Sequence, residues 1–122
     1  IVILIKAETC WTDFPNVGFS VKPNRRLSKN GRWQHSDKQL LRRFPEVELL
    51  TCQEGSWYYL GTYAVTTKET LSVHEFQTLP QEARQELVAQ AGHKTHHAQL
   101  WAMFQAGQLS GTRFTLERVS FN

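Results

Sequence analysis

The stretch QEGSWYYLGTYAV, residues 53–65, decides the fold. Its second half is rich in aromatic and β-branched residues, and it follows residues 46–49, in which acidic and apolar side chains alternate. The Gly-containing segment 53–56 separates the two parts, as the turn of a β-hairpin would. Because both faces of the second strand are largely apolar, we expect this strand to lie inside a sheet.

A period of two places Trp57, Tyr59, Gly61 and Tyr63 on one face of that strand. An aromatic row of this kind forms either part of a core or the floor of a ligand pocket. Gly61, in the middle of the strand, has no side chain that could pack, which indicates a bulge or the close approach of another group. The four residues are therefore candidates for core positions or for a base pocket.

Before the hairpin, residues 1–6 form an apolar, β-branched run that predicts a short, central strand. Proline, glycine and asparagine interrupt residues 10–35 so often that loops and short strands are expected there. From Ser36 to Phe44, apolar residues recur at helical spacing, and Pro45 follows, which predicts a helix of two turns.

After the hairpin, Ser72 and Glu75 have the spacing of a capping box, which predicts a helix that begins at Ser72. Pro80 suits the first turn of a second helix, and Gly92 suits its end. The second helix should bury one apolar stripe, formed by Ala83, Leu87, Val88 and Ala91. A third helix is expected from about Thr95 to Gly107.

In the C-terminal segment 113–121, the apolar residues Phe114 and Leu116 occupy even positions, whereas Val119 and Phe121 occupy odd positions. A bulge near residues 117 and 118 would place all four on one face of a strand, so we expect a bulged strand there. These elements predict one α+β domain that spans residues 1–122. Its sheet would be curved and mostly antiparallel, or a partly open barrel, with five or six strands. A cluster of short helices would lie between the central hairpin and the C-terminal strand.

A chain of 122 residues, 40% hydrophobic and 20% charged, has the size and composition of one globular domain that needs no disulfide or metal to fold. The absence of an initial methionine indicates a domain excised from a longer protein. Cys10 and Cys52 lack the spacing of a zinc or redox motif, which favours a reducing compartment.

Lys6 and Glu8 end the first apolar run far short of the roughly 20 residues of a membrane span. We expect a monomer without a cofactor and without a membrane partner.

The positive charge is concentrated in residues 22–43, which hold eight basic residues and only one acidic residue. The rest of the chain holds six basic and ten acidic residues, so the net charge of +3 conceals a strongly polarised molecule. A local excess of this size attracts phosphate and gains free energy from released counterions.

We therefore predict a nucleic-acid-binding domain, in the nucleus rather than the cytoplasm, with DNA favoured over RNA. Trp33 and His35 would stack on bases, and arginines suit planar contacts with phosphate and guanine. The predicted contact residues are Arg25, Arg26, Lys29, Arg32, Trp33, His35, Arg42 and Arg43. Two alternatives stay open: the segment docks a charged partner such as an acidic protein, or it is merely a solvated surface.

Signals for catalysis are few. His93 and His97 have a spacing that would place two imidazoles on one helical face, and with His96 they would support a metal-dependent enzyme as a third hypothesis. No carboxylate accompanies them, so a polar turn between helices is the other interpretation. Cys10, Cys52 and His74 could supply a thiol and a base but form no motif. Glycine-rich phosphate loops and nucleophile elbows are absent from the sequence, so we favour a binding domain over an enzyme.

Three segments carry a family resemblance: the hairpin 48–63, the helix start 71–79, and the closing pattern formed by 103–109 and 116–121. Over residues 44–122 the sequence resembles a domain of unknown function in basidiomycete fungal proteins. This resemblance implies a fungal source and assigns no catalytic residue.

The element Tyr59-Leu60-Gly61 also resembles a Tyr-x-Gly element of SRA-like and PUA-like modules, which are compact β-rich folds that bind modified or flipped bases. The resemblance implies that a curved sheet forms a pocket, that Tyr59 or Trp33 stacks on the base, and that arginines hold the backbone. A reader of modified bases in DNA is thus one form of the predicted function.

Overall fold

The computed structural model describes residues 2–35 and 40–121, which form eight strands and four α-helices. A 3₁₀ turn lies at Lys6–Glu8 and another at Lys94–His96. The strands are β1 Val2–Ile3, β2 Thr9–Asp13, β3 Val17–Pro23, β4 Arg25–Leu27, β5 Trp33–His35, β6 Glu46–Gln53, β7 Ser56–Thr70 and β8 Gly111–Ser120. The helices are α1 Leu40–Arg43, α2 Val73–Thr78, α3 Gln81–Ala91 and α4 His97–Gln105.

Six strands form one open sheet in the order β1-β6-β7-β8-β3-β2. All neighbours are antiparallel except β1 and β6. Helices α2 to α4 lie in the chain between the central hairpin and β8. The predicted α+β class and the mostly antiparallel sheet are therefore confirmed.

The prediction of a central strand at residues 1–6 was wrong, because β1 is an edge strand of two residues that pairs with β6 alone. Its apolar character has another cause: Leu4, just after the strand, is 7% exposed and packs into the core. Burial of side chains, not pairing on both edges, explains the apolar run.

The predicted hairpin is confirmed, since β6 and β7 pair from Glu46↔Ala64 to Gln53↔Ser56. Its two-residue turn has φ of 52° at Glu54 and 80° at Gly55. Two consecutive positive φ values are typical of the turn type that matches the twist of the flanking strands. Strand β7 lies between β6 and β8, inside the sheet, as expected.

The sheet has a hydrophobic cluster on each face. In β3, Phe19 and Val21 belong to the cluster that α2, α3 and α4 cover. Gly18 and Ser20, which point the other way, pair with Leu116 and Phe114 of the second cluster. That second cluster comprises Leu4, Leu41, Val47, Leu49, Leu60, Tyr63, Phe114 and Leu116.

The helix signals are confirmed in detail. At the start of α2, Ser72 Oγ accepts a hydrogen bond of 3.1 Å from the Glu75 N–H, and the Glu75 carboxylate accepts one of 3.3 Å from the Ser72 N–H. The predicted stripe of α3 is buried throughout. Gly92 ends α3, and a Cβ there would lie 2.7 Å from the carbonyl oxygen of Leu27. Gly92 is thus explained by the close approach of β4.

Two other signals agree with the structure in part. Among the described residues, α1 runs from Leu40 to Arg43; Leu41 is buried, but Phe44 lies beyond the helix and is 44% exposed. The predicted cap at Ser36 lies outside the described residues. The bulge in β8 falls at Val119, between the pairs Tyr63↔Arg118 and Thr62↔Ser120, one residue beyond its predicted place.

Among the helices in the described ranges, none combines the length and the apolar character needed to cross a membrane.

Candidate nucleic-acid interface

The basic segment divides into cations that the fold uses internally and cations that it leaves at the surface. Lys22 belongs to the first group. It forms an ion pair with Glu8, whose side chain is 2% exposed, and only 17% of the Lys22 side chain is exposed. Gln90 donates a further hydrogen bond of 2.6 Å to Glu8. Burial raises the pKa of Glu8, although the Lys22 charge opposes this shift.

Arg42 is also part of the internal group. Its Nη2 donates hydrogen bonds of 2.5 Å to Asn24 Oδ1 and 3.2 Å to Thr112 Oγ1. Its guanidinium carbon lies 5.3 Å from the ring centre of Phe114, in the second cluster. Since these contacts engage the guanidinium inside the fold, we leave Arg42 out of the contact surface, although the sequence had placed it there.

The remaining predicted contacts, apart from Arg43 at the end of α1, lie in a separate two-stranded hairpin formed by β4 and β5. Its register is Arg25↔His35, Arg26↔Gln34 and Leu27↔Trp33. Every residue from Lys29 to His35 is exposed. This hairpin therefore presents Arg26, Lys29, Arg32, Trp33 and His35 to solvent.

Local hydrogen bonds shape the turn of this hairpin. The Ser28 N–H donates to the Arg32 carbonyl at 2.8 Å, and the Gly31 N–H donates to the Ser28 carbonyl at 2.9 Å. The Arg32 N–H donates to Ser28 Oγ at 3.1 Å. Gly31 has a φ of 81°, a left-handed conformation that glycine adopts without steric cost. Ser28 and Gly31 thus allow the two basic strand ends to meet.

One residue anchors the hairpin to the body of the domain. Leu27 is 4% exposed within the helix-side cluster, and its carbonyl accepts a hydrogen bond of 3.3 Å from the His93 N–H. Arg26 Nη1 donates a long hydrogen bond of 3.4 Å to the carbonyl of Gln90, in the last turn of α3. The hairpin is therefore fixed at the C-terminal end of α3, where a cation is favourable.

Aromatic contacts orient two of the surface arginines. The guanidinium carbon of Arg25 lies 4.7 Å from the centre of the Trp33 ring, and that of Arg43 lies 5.6 Å from the Phe44 ring. Trp33 is 37% exposed. Such contacts hold a guanidinium in place while they leave its donors available.

No acidic side chain neutralises this surface in the described part of the chain. The two ion pairs found there join Lys22 to Glu8 and Arg113 to Glu75. The hairpin cations and Arg43 take part in neither. The surface consequently keeps its positive charge.

The sequence did not indicate that the 3₁₀ turn at Lys94–His96 adjoins this surface. Its His96 ring contacts the Lys29 carbonyl at 3.3 Å. Desolvation lowers the pKa of His93, and the nearby charges of Lys29 and Lys94 lower it further. The pairing of Leu27 with Gly92 causes this proximity, and no local sequence signal could have revealed it.

The histidines themselves stabilise a polar turn. His93 Nδ1 lies 3.0 Å from Thr95 Oγ1, and His97 Nε2 lies 3.0 Å from the Gly92 carbonyl. Across residues 2–35 and 40–121, no group of three histidine, cysteine or acidic side chains is arranged to hold a metal. Cys10 and Cys52 are free thiols, and burial raises the pKa of Cys10, which disfavours a reactive thiolate.

The four residues of the predicted base pocket do not share one face. The register of β6 and β7 shifts between the pairs Leu49↔Gly61 and Leu50↔Tyr59, so Leu60 is an extra residue. This bulge reverses the alternation of side chains along β7. The expectation of a single aromatic row was wrong for this reason.

The bulge leaves Tyr63 inside the second cluster, where it is 0% exposed and donates a hydrogen bond of 2.6 Å to the Pro15 carbonyl. Trp57 and Tyr59 belong to the opposite face. Trp57 is 59% exposed, and Tyr59 stacks on Phe121 with ring centres 5.7 Å apart. No common pocket can therefore contain Tyr59 and Tyr63.

Gly61 allows the close approach of a neighbouring strand. A Cβ at this position would lie 2.5 Å from the carbonyl oxygen of Ser120 and 3.0 Å from the Arg118 side chain. The gap that the sequence indicated is thus occupied by β8.

A family model described as "Domain of unknown function (DUF6697)" matches residues 13–118. The chain belongs to this family. The match includes the whole β4–β5 hairpin, so the basic surface lies within the DUF6697 domain. It also confirms the resemblance to a domain of unknown function. No curated protein and no solved structure matches the chain.

Proposed function

We propose that this DUF6697 domain binds nucleic acid through the β4–β5 hairpin and that its preferred ligand is duplex DNA. One observation carries the proposal: four accessible cations lie in the hairpin, and none of them has an acidic partner among the residues that the structure describes. These cations are Arg25, Arg26, Lys29 and Arg32, and Arg43 is a further exposed cation at the end of α1. Unneutralised arginines and lysines on one element are the usual means of phosphate binding.

The shape of the hairpin favours duplex DNA. The major groove of B-form DNA is about 12 Å wide and admits a two-stranded β-ribbon. The major groove of duplex RNA is deep and narrow and excludes side chains. A short ribbon whose turn carries Lys29 and Arg32 therefore suits DNA better than duplex RNA.

Arg26 and Gln34 give the hairpin a means of contacting base edges. They are directly opposite in the register, so their side chains lie on the same face, and both are exposed. Arginine forms paired hydrogen bonds with guanine, and glutamine forms them with adenine. We assign base contacts to Arg26 and Gln34, and phosphate contacts to Arg25, Lys29, Arg32 and Arg43.

Trp33 adds a surface for stacking. With 37% of the residue exposed, part of the indole is accessible although Arg25 lies against it. Stacking on an exposed ring strengthens binding to single strands. We therefore expect single-stranded DNA to bind as a second, weaker ligand. The proposal also implies that the full-length protein acts in the nucleus.

The test is fluorescence anisotropy with labelled duplex DNA, the matching single strand, duplex RNA, and duplex DNA that carries a modified cytosine or adenine. We expect duplex DNA to bind more tightly than duplex RNA. Affinity should fall by about 30-fold or more between about 50 and about 200 mM salt, if three or more phosphates are contacted. A polyglutamate peptide, which is negatively charged like the nucleic-acid probes, serves as the competitor.

Preference for polyglutamate over every nucleic acid would contradict the proposal and establish an acidic protein as the partner. Binding to all probes with equal affinity would retain the phosphate contacts but contradict the assignment of base contacts to Arg26 and Gln34.

A further inference from the structure

A pocket of about 460 Å³ lies at the open side of the curved sheet, where the edge strands β1 and β2 do not pair. One wall comes from β2, and the opposite wall comes from β6 and β7. Pro80 and Glu82, at the start of α3, complete the rim. The basic hairpin contacts the other end of α3, at Gln90 and Gly92. Pro80 and the hairpin thus lie at opposite ends of α3, whereas Glu8, next to the pocket residue Ala7, accepts a hydrogen bond from Gln90.

Thr51 places a hydroxyl at this pocket. The residue lines the pocket and is only 7% exposed, and no hydrogen bond joins its hydroxyl to the described residues. Arg84 Nε is the one buried side-chain atom without a partner in the described part of the chain, so the Thr51 hydroxyl is open to the pocket. Thr51 continues the inward-facing row of Val47 and Leu49, where an apolar residue would be expected. A hydroxyl that is open to a pocket can bond to water or to a ligand that replaces the water.

A second threonine of the pocket, Thr9, forms hydrogen bonds within the fold. Thr9 Oγ1 donates to the Ile5 carbonyl at 2.9 Å and lies 2.8 Å from Ser20 Oγ. The fold therefore satisfies Thr9 internally and leaves Thr51 to whatever enters the pocket.

Aromatic and aliphatic side chains form part of the pocket lining. The Trp11 ring is held by edge-to-face contacts with Phe14, at 5.1 Å between ring centres, and with Tyr63, at 6.0 Å. Leu4 and Leu60 supply further apolar surface. A fixed indole wall together with aliphatic side chains suits a planar, apolar ring.

The charges around the pocket select neither anions nor cations. Lys6 and Glu82 lie at the rim and are exposed, and their charges are opposite. Cys10 lines the pocket as a protonated thiol, because burial raises its pKa. An uncharged ligand would therefore lose the least hydration when it binds.

We propose that this pocket binds an uncharged, planar aromatic molecule whose polar edge forms a hydrogen bond with the Thr51 hydroxyl. This binding activity is separate from the contact with DNA, because it uses different residues. Indole is a suitable probe: it has a planar ring and one N–H donor, and it carries no charge.

Nuclear magnetic resonance separates the two sites, because the chain has four tryptophans and each indole N–H gives its own signal. Replacement of each tryptophan by phenylalanine assigns the four signals. With ¹⁵N-labelled protein and unlabelled indole, we expect a saturable shift of the Trp11 signal and no saturable shift of the Trp33 signal. DNA should have the opposite effect, so failure of one proposal would leave the other intact.

Three variants test the role of the pocket. Thr51→Val keeps the volume and removes the hydroxyl, so indole affinity should fall between about two-fold and about ten-fold. Thr51→Ser should restore most of the affinity. Ala7→Phe should fill the pocket and abolish the saturable shift, while thermal unfolding shows whether each variant remains folded.

The proposal fails if indole produces no saturable shift of the Trp11 signal, or if Thr51→Val binds indole as tightly as the unaltered chain. Octanoate is the matched probe with a flexible apolar chain and a negative charge. Tighter binding of octanoate than of indole would show that the pocket accepts acyl chains and would overturn the assignment to planar, uncharged ligands.

Discussion

Lys22 and Arg26 lie four residues apart in the same basic segment, yet the fold uses them in opposite ways. Lys22 is in β3, inside the six-stranded sheet, and forms a buried ion pair with Glu8. Arg26 is in the two-stranded hairpin outside that sheet and is exposed. The difference shows that a run of basic residues is not one functional unit. The strand that carries each cation determines whether it stabilises the fold or remains available to a ligand.

Arg42 and Arg43 repeat this contrast in adjacent residues. Arg42 donates to Asn24 and Thr112, whereas Arg43 is exposed and lies against Phe44. Mutations that separate stability from DNA affinity can therefore test the division directly.

The largest effect is expected from Lys22→Met, which leaves the Glu8 carboxylate buried without its cation. The variant should lose about 3–5 kcal/mol of unfolding free energy, because an unpaired buried charge is strongly unfavourable. Chemical denaturation measures the loss. The matched variant Arg26→Met should change stability by less than about 0.5 kcal/mol, as surface substitutions usually do.

A double replacement sharpens this prediction. Lys22→Met combined with Glu8→Leu removes both charges and should recover much of the lost stability, since apolar pairs often replace buried ion pairs at little cost. Equal destabilisation by Lys22→Met and Arg26→Met would contradict the division of the segment into internal and surface cations.

The second effect concerns the adjacent arginines. Arg42→Gln should lower the unfolding free energy by about 1–3 kcal/mol, because buried acceptors lose a charged donor. Arg43→Gln should leave stability unchanged and weaken DNA binding about two- to three-fold through the loss of one phosphate contact. Thermal melts and anisotropy on the two variants provide the measurement. The reverse pattern would mean that Arg42 belongs to the contact surface.

The third effect is on DNA affinity alone. Arg25→Ser combined with Arg26→Ser should weaken duplex binding about ten-fold at low salt, with no change in the melting temperature. Lys6→Ser combined with Lys68→Ser is the control, because it removes the same charge from exposed positions outside the hairpin. A similar loss in both variants would show that net charge, not the hairpin, governs binding.

The smallest effect is on pH dependence. Desolvation and the charges of Lys29 and Lys94 lower the pKa of His93 in the free domain, and His96 and His97 act in the same direction. A nearby phosphate would favour the protonated ring, so binding should take up a proton and strengthen about two- to three-fold from about pH 7.5 to about pH 5.5. Isothermal titration calorimetry in buffers of different ionisation enthalpy detects this uptake. The His93→Gln variant should lose the part of the proton uptake that His93 contributes.

The lowered pKa of His93 also determines how the folding stability changes with pH. Because the folded domain holds the pKa of His93 below its ordinary value of 6.5, the unfolded chain binds more protons just below that pH. Folding stability should therefore fall as the pH drops below about 6.5 and should fall less in His93→Gln. Identical pH profiles for the two proteins would show that His93 does not contribute.

Local signals predicted the parts of the fold that local interactions determine. The turn at Glu54 and Gly55, the capping box of Ser72 and Glu75, and the buried stripe of α3 all follow from short-range geometry. The edge position of β1 did not follow, because an apolar run reports burial and does not report how many neighbours a strand has.

The candidate site was predictable only in part. The sequence located the positive charge, and the structure separated Lys22 and Arg42 from the hairpin because of contacts with distant residues such as Glu8 and Thr112. The aromatic row failed because one extra residue at Leu60 reverses the side-chain alternation. The Trp11 and Thr51 pocket gave no sequence signal, since its walls come from strands that are far apart in the sequence.

The central claim is that the β4–β5 hairpin contacts the DNA backbone, and the salt dependence of binding tests it most directly. Each phosphate contact contributes about −0.9 to the slope of log affinity against log salt concentration. The slope of the Arg25→Ser/Arg26→Ser variant should therefore be less negative than that of the unaltered domain by about 0.9, because Arg25 is the phosphate contact of the pair, while the Lys6→Ser/Lys68→Ser control should keep the original slope. Equal slopes for the hairpin variant and the unaltered domain, or no binding to duplex DNA at about 50 mM salt, would contradict the account.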